Sequence, residues 1–588
     1  MIASPLLVRR SLYLLAILAC AWALIALATG GLGWMIGPLR LSSRQPLRPA
    51  IVGVVAALFY ARRFSRVEQD KDGRWLLRSM QWALLLGPLL AIVLGFVVGI
   101  HYGSFAAAGS DSYGYVSQAP LWLKGNLHIR QPWVQQMSWP AREWSFAPLG
   151  YRPSSLDGTI VPTYAPGLPM LMAIFLAIFG GNGPFYVVPV LGAVALCVTY
   201  LLGVEITRSR SVAAGAVFLL LCSPVFLAHL MLPMTDVPMA AGWTMVLYFA
   251  LKEPRPKPLA AGLVAAAMLL MRPNLLLLAG APVVAWLWPC IRGRNSWQNG
   301  AKDVLMFAIG VAPAVVAVAL INWRLYGSPL ESGYGGLSGD MYELGRWPQN
   351  LRVYLKWLVQ SQTVLVSLAA LPFFARDALR SDSGRSSARA GVAALLALSL
   401  ISYLFYYVFD VWFYLRFLLP ALPALFVLMA AGIRAIAMRV PLALRAPVAV
   451  LLVCGCVPFN LRFAFDNRIF HQQEFEQRHV RAAHYVEQLT PQKSIILAIQ
   501  HSGSVRYYAN RITLRYDYLA PDGLDAAIRE LNEKGYRPYI VIDDWEETEF
   551  RNRFAKANRV GRLDWRPLVR VIGNPEVRIY DPEGRATP

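Results

Sequence analysis

Along the chain, long apolar runs alternate with short polar segments that carry most of the arginine and lysine. The runs at 12–36, 81–100, 185–206, 212–231, 304–323, 392–409 and 417–437 come near the ~20 residues that take a helix across a hydrocarbon layer, and those at 49–61, 239–251, 358–374 and 447–459 are shorter. The first run follows Arg9 and Arg10 and has no small-residue cleavage site, which predicts a retained helix with a cytoplasmic N-terminus. A run at 166–179 falls short of a span and closes on Gly180-Gly181-Asn182-Gly183-Pro184, which predicts a juxtamembrane or re-entrant helix. The stretch 259–289 is interrupted at Arg272-Pro273-Asn274 and predicts a broken helical hairpin with both ends cytoplasmic. Counting the short members, the pattern predicts a polytopic α-helical membrane protein of about thirteen membrane helices.

Basic clusters orient these runs, because cytoplasmic loops collect lysine and arginine. Arg62, Arg63, Arg66, Lys71, Arg74 and Arg78 form one cluster; Arg208 with Arg210, Lys252 with Arg255 and Lys257, Arg376 with Arg380, Arg385 and Arg389, and Arg439 with Arg445 form others. Placing all of them inside puts the long segment 101–183 and everything after Asn460 on the outer face. Trp122, Trp133, Trp139, Trp144, Tyr151 and Tyr164 make the outer segment read as a loop lying on the membrane, since such amphipathic rings settle at bilayer interfaces.

After residue 460 charge and period-two apolar runs replace the long apolar ones. Helices at 476–489 and 522–534, and strands at 494–499, 539–542, 568–571 and 577–580, predict a C-terminal soluble α/β domain with a small, partly parallel sheet. It carries no GxGxxG, GxxxxGK[ST] or GxSxG pattern. The expected organisation is 1–79 as N-terminal extra membrane helices, 80–460 as a transmembrane module with a large outer loop at 101–184, and 461–588 as an extracytoplasmic domain.

Composition agrees with a membrane protein and with no soluble class: 588 residues, 56% hydrophobic and 15% charged, with a mean hydropathy of +0.44. The net charge of +22 sits at the ends of apolar runs, so it reads as orientation rather than nucleic-acid binding. Cys20, Cys197, Cys222, Cys290, Cys454 and Cys456 all lie in apolar stretches, which excludes a disulfide framework or a paired Cys/His zinc site.

The polar exceptions map to one side. Asp111, Asp236, Arg324, Glu331, Asp410 and Arg416 all fall on the outer face, and a charge at mid-bilayer costs roughly 2.5 to 3.5 kcal/mol, so such residues carry a task or a partner. Asp111, in Ser110-Asp111-Ser112-Tyr113-Gly114-Tyr115, is either the cap of a short interfacial helix or a general base for a hydroxyl proton. Asp236, in Thr235-Asp236-Val237-Pro238, has the same two readings, with capping favoured by the proline. Arg416 either snorkels or pairs with Asp410, or it forks onto a lipid phosphate; Arg324 is an interface anchor or a second phosphate ligand. His101 and His229 read as span-end polar residues, and no His/carboxylate spacing forms a metal site.

The outer-loop aspartate, Tyr164-Ala165-Pro166-Gly167-Leu168-Pro169, Thr235-Asp236-Val237-Pro238, Gly327-Ser328-Pro329 with Gly333-Tyr334-Gly335, and Arg416 before Pro420 together resemble the GT-C superfamily of membrane glycosyltransferases. The resemblance is to the branch with the protein O-mannosyltransferases and the lipid A aminoarabinose transferase, and covers about residues 80 to 460. It implies an inverting transfer from a polyprenyl-phosphate sugar to a lipid, glycan or protein acceptor, with Asp111 as the base and Asp236, Arg324, Glu331, Tyr334, Arg416 and Tyr113 around the substrates. It implies a bacterial-type inner membrane location with the tail periplasmic, membrane lipids as neighbours, and no nucleic-acid partner. No cofactor is required by the sequence. Asp111-Ser112 stands where many members carry two adjacent acidic residues, which leaves dependence on a divalent metal open. A transporter of lipid-linked saccharides and a non-enzymatic receptor acting through its tail are the rival classes; transport would place charges at mid-bilayer within paired broken helices.

Overall fold

The computed structural model describes residues 5–36, 39–335, 341–375, 379 and 385–584; Arg376 and Arg380 of the basic clusters lie outside them. Among the described residues eight helical stretches are long and apolar enough to cross a membrane, or ten when two bent pairs each count as one span. Those pairs are Arg210–Leu221 with Pro224–Leu230, bent by 63°, and Leu344–Gln362 with Val364–Phe374, bent by 110°. The sequence expectation of about thirteen is higher because it counted short apolar pieces as membrane helices. Asp236–Leu251 and Pro258–Met271 are such pieces, helical but below span length. Gly167–Phe179 is helical as expected and turns straight back into Gly183–Thr207. A Cβ on Gly183 would stand 2.1 Å from the Phe175 carbonyl oxygen, so only glycine permits that turn.

The N-terminal helices Pro5–Thr29, Leu47–Arg63 and Arg66–Ser79 are joined by a buried ion cluster. Arg9 forks onto the fully buried Asp72 at 2.8 and 3.0 Å, and Tyr60 donates to the same carboxylate at 2.8 Å. Ser65 and Glu68 form a reciprocal capping box that starts the third helix.

The long loop 101–183 contains a small antiparallel sheet of β1 (Ile129–Arg130), β2 (Tyr151–Pro153) and β3 (Thr159–Pro162), in the order β1-β3-β2. Residues beyond Asp466 build a mixed five-stranded sheet from β4 (Ser494–Leu497), β5 (Ile512–Leu514), β6 (Arg537–Asp543), β7 (Val569–Val571) and β8 (Val577–Tyr580). Its order is β5-β4-β6-β8-β7, with β4 parallel to β5 and β6, and β8 antiparallel to β6 and β7. Alternation sends Ile495, Leu497, Ile540 and Ile542 to the face covered by helices Leu524–Glu533 and Asp544–Phe554. Ile496, Tyr539 and Val541 face helix Gln472–Leu489. Strand β5 and helix Asp544–Phe554 were not expected from sequence.

The loop tryptophans also have partners within the protein: Trp133 and Trp139 pack on a buried cluster shared with the C-terminal sheet unit, and Trp144, still partly exposed, lies on Tyr518. Val134, Met137 and Phe146 share one buried cluster with Ile495 and Ile540. Trp133 meets Tyr536 at 5.7 Å and Trp144 stacks on Tyr518 at 5.8 Å. Amphipathic rings suit a protein–protein seam as well as a lipid interface, and the pattern along the chain is the same for both. Arg506 completes the seam with bonds to the Phe146 carbonyl at 2.6 Å and the Gln131 amide oxygen at 2.9 Å.

Gly503 lies at a close approach between the two sides, since a Cβ there would stand 2.2 Å from the Tyr113 ring. Gly503→Val should therefore cost about 1 to 3 kcal/mol by overpacking. A lowered melting temperature of the full-length protein in detergent is the expected reading, and an unchanged one would show that the seam does not depend on this contact.

Candidate active site

Asp111 follows the span Gln81–His101 after a short non-helical passage in which Phe105 (φ 44°) and Gly109 (φ 55°) adopt left-handed backbone. It is the first residue of the short helix Asp111–Val116, whose start has no side-chain cap bond. The carboxylate instead turns to two partners. Oδ1 accepts from the Tyr164 hydroxyl at 2.5 Å, and Oδ2 accepts from Arg416 Nη1 at 3.1 Å. The Tyr164 hydroxyl also lies 2.8 Å from Ser110 Oγ. A phenol has one proton; with that proton on Asp111, Ser110 must be the donor to Tyr164. Burial, reinforced by the Asp111 carboxylate, pushes the Tyr164 phenol well up, so it stays a protonated donor. Gly114 makes room for this ring, as a Cβ there would stand 2.3 Å from it.

Behind this pair lies a second. Asp236, at the start of helix Asp236–Leu251 and 1% exposed, accepts from Arg272 Nη1 at 3.0 Å. Its other oxygen stands 4.0 Å from Arg416 Nη1. The four groups thus form the alternating row Asp111, Arg416, Asp236, Arg272, with no net charge. Aromatic faces flank both cations: Arg416 stands 5.4 Å from the Phe413, Tyr414 and Phe417 rings, and Arg272 stands 5.7 Å from Tyr403 and Phe417. Tyr115 Oη and Thr235 Oγ1, 3.4 Å apart, link the two halves. Buried Arg416 Nε has no hydrogen-bond partner among the described residues. A buried N–H donor without a partner is costly, which makes this guanidinium a candidate to meet an acceptor from a ligand.

Each member of the row comes from a break in regular structure. Arg272 ends helix Pro258–Met271 where Pro273 cannot continue it, and Arg416 lies in the 3-10 segment Trp412–Ala421 ahead of helix Leu422–Ala437. Asp111, Asp236 and Arg416 were singled out in the sequence, and the fold brings them together. Arg416 pairs with Asp111 rather than with Asp410, which is exposed. Arg272 was read only as a helix break, although an arginine inside an apolar stretch was the available signal.

The remaining candidates stand apart from the row. Arg324 is exposed at the end of helix Trp297–Tyr326. Glu331 pairs with Arg152 at 3.1 Å, and Arg152 also holds the Ser332 carbonyl at 3.1 Å, strapping that segment to the outer loop. Tyr334, 66% exposed, presents its ring edge-on to Tyr164 at 5.8 Å. Tyr113 is buried against Gly503 and Tyr151 and faces the C-terminal unit. His229 is fully buried, with Nδ1 2.8 Å from the Val225 carbonyl and its ring on Phe413 at 4.2 Å. Among the described residues no group of three or more His, Cys, Asp or Glu side chains is placed to hold a metal ion.

No family model and no curated protein sequence matches this chain. Solved structures do. The archaeal oligosaccharyltransferase AglB from Archaeoglobus fulgidus, in complex with an inhibitory peptide and a dolichol-phosphate, aligns with a TM-score of 0.53 at 12% identity, over 86% of this chain and 75% of that one. ArnT from Cupriavidus metallidurans in the apo state aligns with a TM-score of 0.52 at 11% identity, over 84% of this chain and 97% of that one. At this level of identity the likeness is one of fold: this chain shares the membrane fold of those two proteins.

The alternating row carries an energetic expectation. Asp236→Asn leaves Arg272 and Arg416 facing each other without the anion between them, and should destabilise by about 3 to 5 kcal/mol. Arg272→Met should also destabilise, while the double variant should lose less than the sum of the two. Melting of the four proteins in detergent closes the cycle, and additive losses would mean that the two side chains do not support each other.

Proposed function

We propose that this protein is an inverting glycosyltransferase that moves a sugar from a polyprenyl-phosphate donor to a lipid, glycan or protein acceptor at the outer face of a bacterial-type inner membrane. In this reading residues 80–460 are the transferase module, 1–79 are added membrane helices, and 461–588 are an extracytoplasmic unit. The observation that carries it is the row Asp111, Arg416, Asp236, Arg272, with Arg416 presenting an unpartnered Nε. The GT-C fold supports it, as does the dolichol-phosphate bound by the similar AglB.

The chemistry needs few groups. The acceptor oxygen attacks the anomeric carbon, its proton passes to Asp111, and the bond from that carbon to the phosphate oxygen breaks with the electron pair leaving on phosphate. One carboxylate serves as base and guanidinium groups stabilise the departing charge, in contrast to the two carboxylates of a glycosidase. Arg416 meets the phosphate through its guanidinium, and Asp236 with Arg272 holds Arg416 in place from behind. Before the donor arrives, Arg416 is also paired with Asp111. A donor phosphate would compete with that carboxylate for the same guanidinium. Tyr334 lies beside the sugar, and Arg324 and Glu331 act at the rim.

Asp111→Asn should lower turnover by roughly 10² to 10⁴, the usual contribution of a positioned base. The same variant should bind a polyprenyl phosphate tighter than wild type by about 5-fold or more, because Arg416 is no longer shared. Arg416→Ala should lose that binding and Arg416→Lys should keep part of it, since lysine retains charge without the fork. Release of polyprenyl phosphate from a panel of polyprenyl-phosphate sugars measures turnover. Near-wild-type turnover in Asp111→Asn would end the base assignment, and unchanged lipid-phosphate affinity in Arg416→Ala would end the phosphate assignment.

The orientation has its own test. Asn126 and Asn532 are both exposed, one in the outer loop and one in the C-terminal unit. Cysteine at either position should react with an impermeant thiol reagent in intact spheroplasts; reaction only after permeabilisation would reverse the topology.

A further inference from the structure

The passage from Ser104 to Ser110 sets where Asp111 points, and its path is one that a free chain would not hold. Phe105 has a left-handed φ of 44°, which costs a side-chain-bearing residue of order 1 to 3 kcal/mol unless its surroundings impose it. Ala106, Ala107 and Ala108 are at most 2% exposed, so their backbone groups need partners within the protein. Three backbone groups of the 104–107 passage find partners from the far end of the chain. Gln477 Nε2 donates to the Ser104 carbonyl at 3.0 Å and to the Phe105 carbonyl at 3.3 Å. Tyr508 Oη accepts from the Ala107 N–H at 2.8 Å.

Tyr508 reaches this position from an unusual element. Val505–Ala509 is a single π-helical turn between the short helix Ser502–Ser504 and β5. Such turns are rare, and they commonly serve to redirect a side chain at a functional site. Here Tyr507 and Tyr508 both pack against the transmembrane core rather than the sheet unit alone. One turn away, Gly503 receives the Tyr113 ring, from the helix that Asp111 begins.

We infer that Gln477 and Tyr508 are positioning residues for Asp111: the C-terminal unit grips the backbone at 104–107 and thereby aims the carboxylate at Arg416, Tyr164 and the acceptor. The inference rests on the reading of Asp111 as the base. It assigns the C-terminal unit to the transfer step and not to donor capture, because neither residue touches Arg416, Asp236 or Arg272. A misplacement of about 1 Å in a reacting group lowers a rate by around 10²-fold, so loss of one grip is enough to register.

The test uses full-length Tyr508→Phe and Gln477→Leu, the first keeping the ring and the second keeping the chain length. Three quantities are read: affinity for a polyprenyl phosphate alone, turnover on the wild type's preferred polyprenyl-phosphate sugar, and amide hydrogen exchange over 104–110. Turnover is expected to fall about 10- to 100-fold, with lipid-phosphate affinity within about twofold of wild type and faster exchange at 104–110. Exchange in the β4 and β6 strands should stay as in wild type, which separates a lost grip from an unfolded unit. Should Tyr508→Phe fail to fold, Gln477→Leu carries the same expectation from a different element. Turnover at the wild-type level in both variants overturns the inference and leaves the transferase reading standing, as does a parallel loss of affinity and turnover. A wild-type protein that neither binds the lipid phosphate nor turns over any donor overturns the transferase reading, and this inference with it.

Discussion

Two carboxylates and two guanidinium groups can share a poorly hydrated site only in strict alternation. Each buried ion loses several kcal/mol of hydration, and only an opposite neighbour at hydrogen-bonding distance offsets the loss. Asp111, Arg416, Asp236 and Arg272 alternate in that spatial order around the site, although their order along the chain is different. The row draws in the start of the first loop helix, the start of helix Asp236–Leu251, the end of helix Pro258–Met271 and the 3-10 entry to helix Leu422–Ala437. Each of these is a place where regular hydrogen bonding stops, so chain direction and side-chain reach are free to be set by the ions. The aromatic rings around the cations restrict water without adding charge, so they strengthen every interaction in the row.

Three of these four ions were legible in the sequence, because a charge next to an apolar run stands out against its neighbours. Arg272 stands in an equally apolar stretch, yet the proline after it offered a sufficient local explanation and concealed the ionic one. Two of the arginines, 416 and 324, looked alike in sequence: each borders an apolar run near aromatic residues, Arg324 after 304–323 and Arg416 before 417–437. The difference between them is tertiary, since Arg416 is enclosed by an acidic pair that comes from residues 111 and 236, while Arg324 ends its helix in the open. The partner of Arg416 was misjudged for the same reason, Asp410 being near in sequence and Asp111 near in space.

The C-terminal unit was readable as an α/β element, since β4 and β6 contain the short continuous apolar runs of fully buried strands and β8 places an arginine between apolar residues. Strand β5, three residues long, was too short to leave such a pattern. What it packs against was not readable. Trp133 and Trp144 carry the same amphipathic character whether they meet lipid headgroups or Tyr536 and Tyr518, so composition alone could not choose between bilayer and protein. The membrane-helix count suffered from a related ambiguity, in which length decides whether an apolar helix crosses or stays buried.

The bond between Ala107 and Tyr508 joins positions separated by 401 residues. During synthesis the outer loop therefore emerges long before the residues that fix its backbone, and every later membrane helix must be made first. A nascent chain can insert its bundle, but its loop retains the apolar seam around Val134, Met137 and Phe146 uncovered until residues 472–580 have been made. The backbone ahead of Asp111 thus gains its partners only after the membrane helices between have been made, and a product terminated before residue 472 would be a bundle with that passage unsupported and an apolar, adhesive surface exposed.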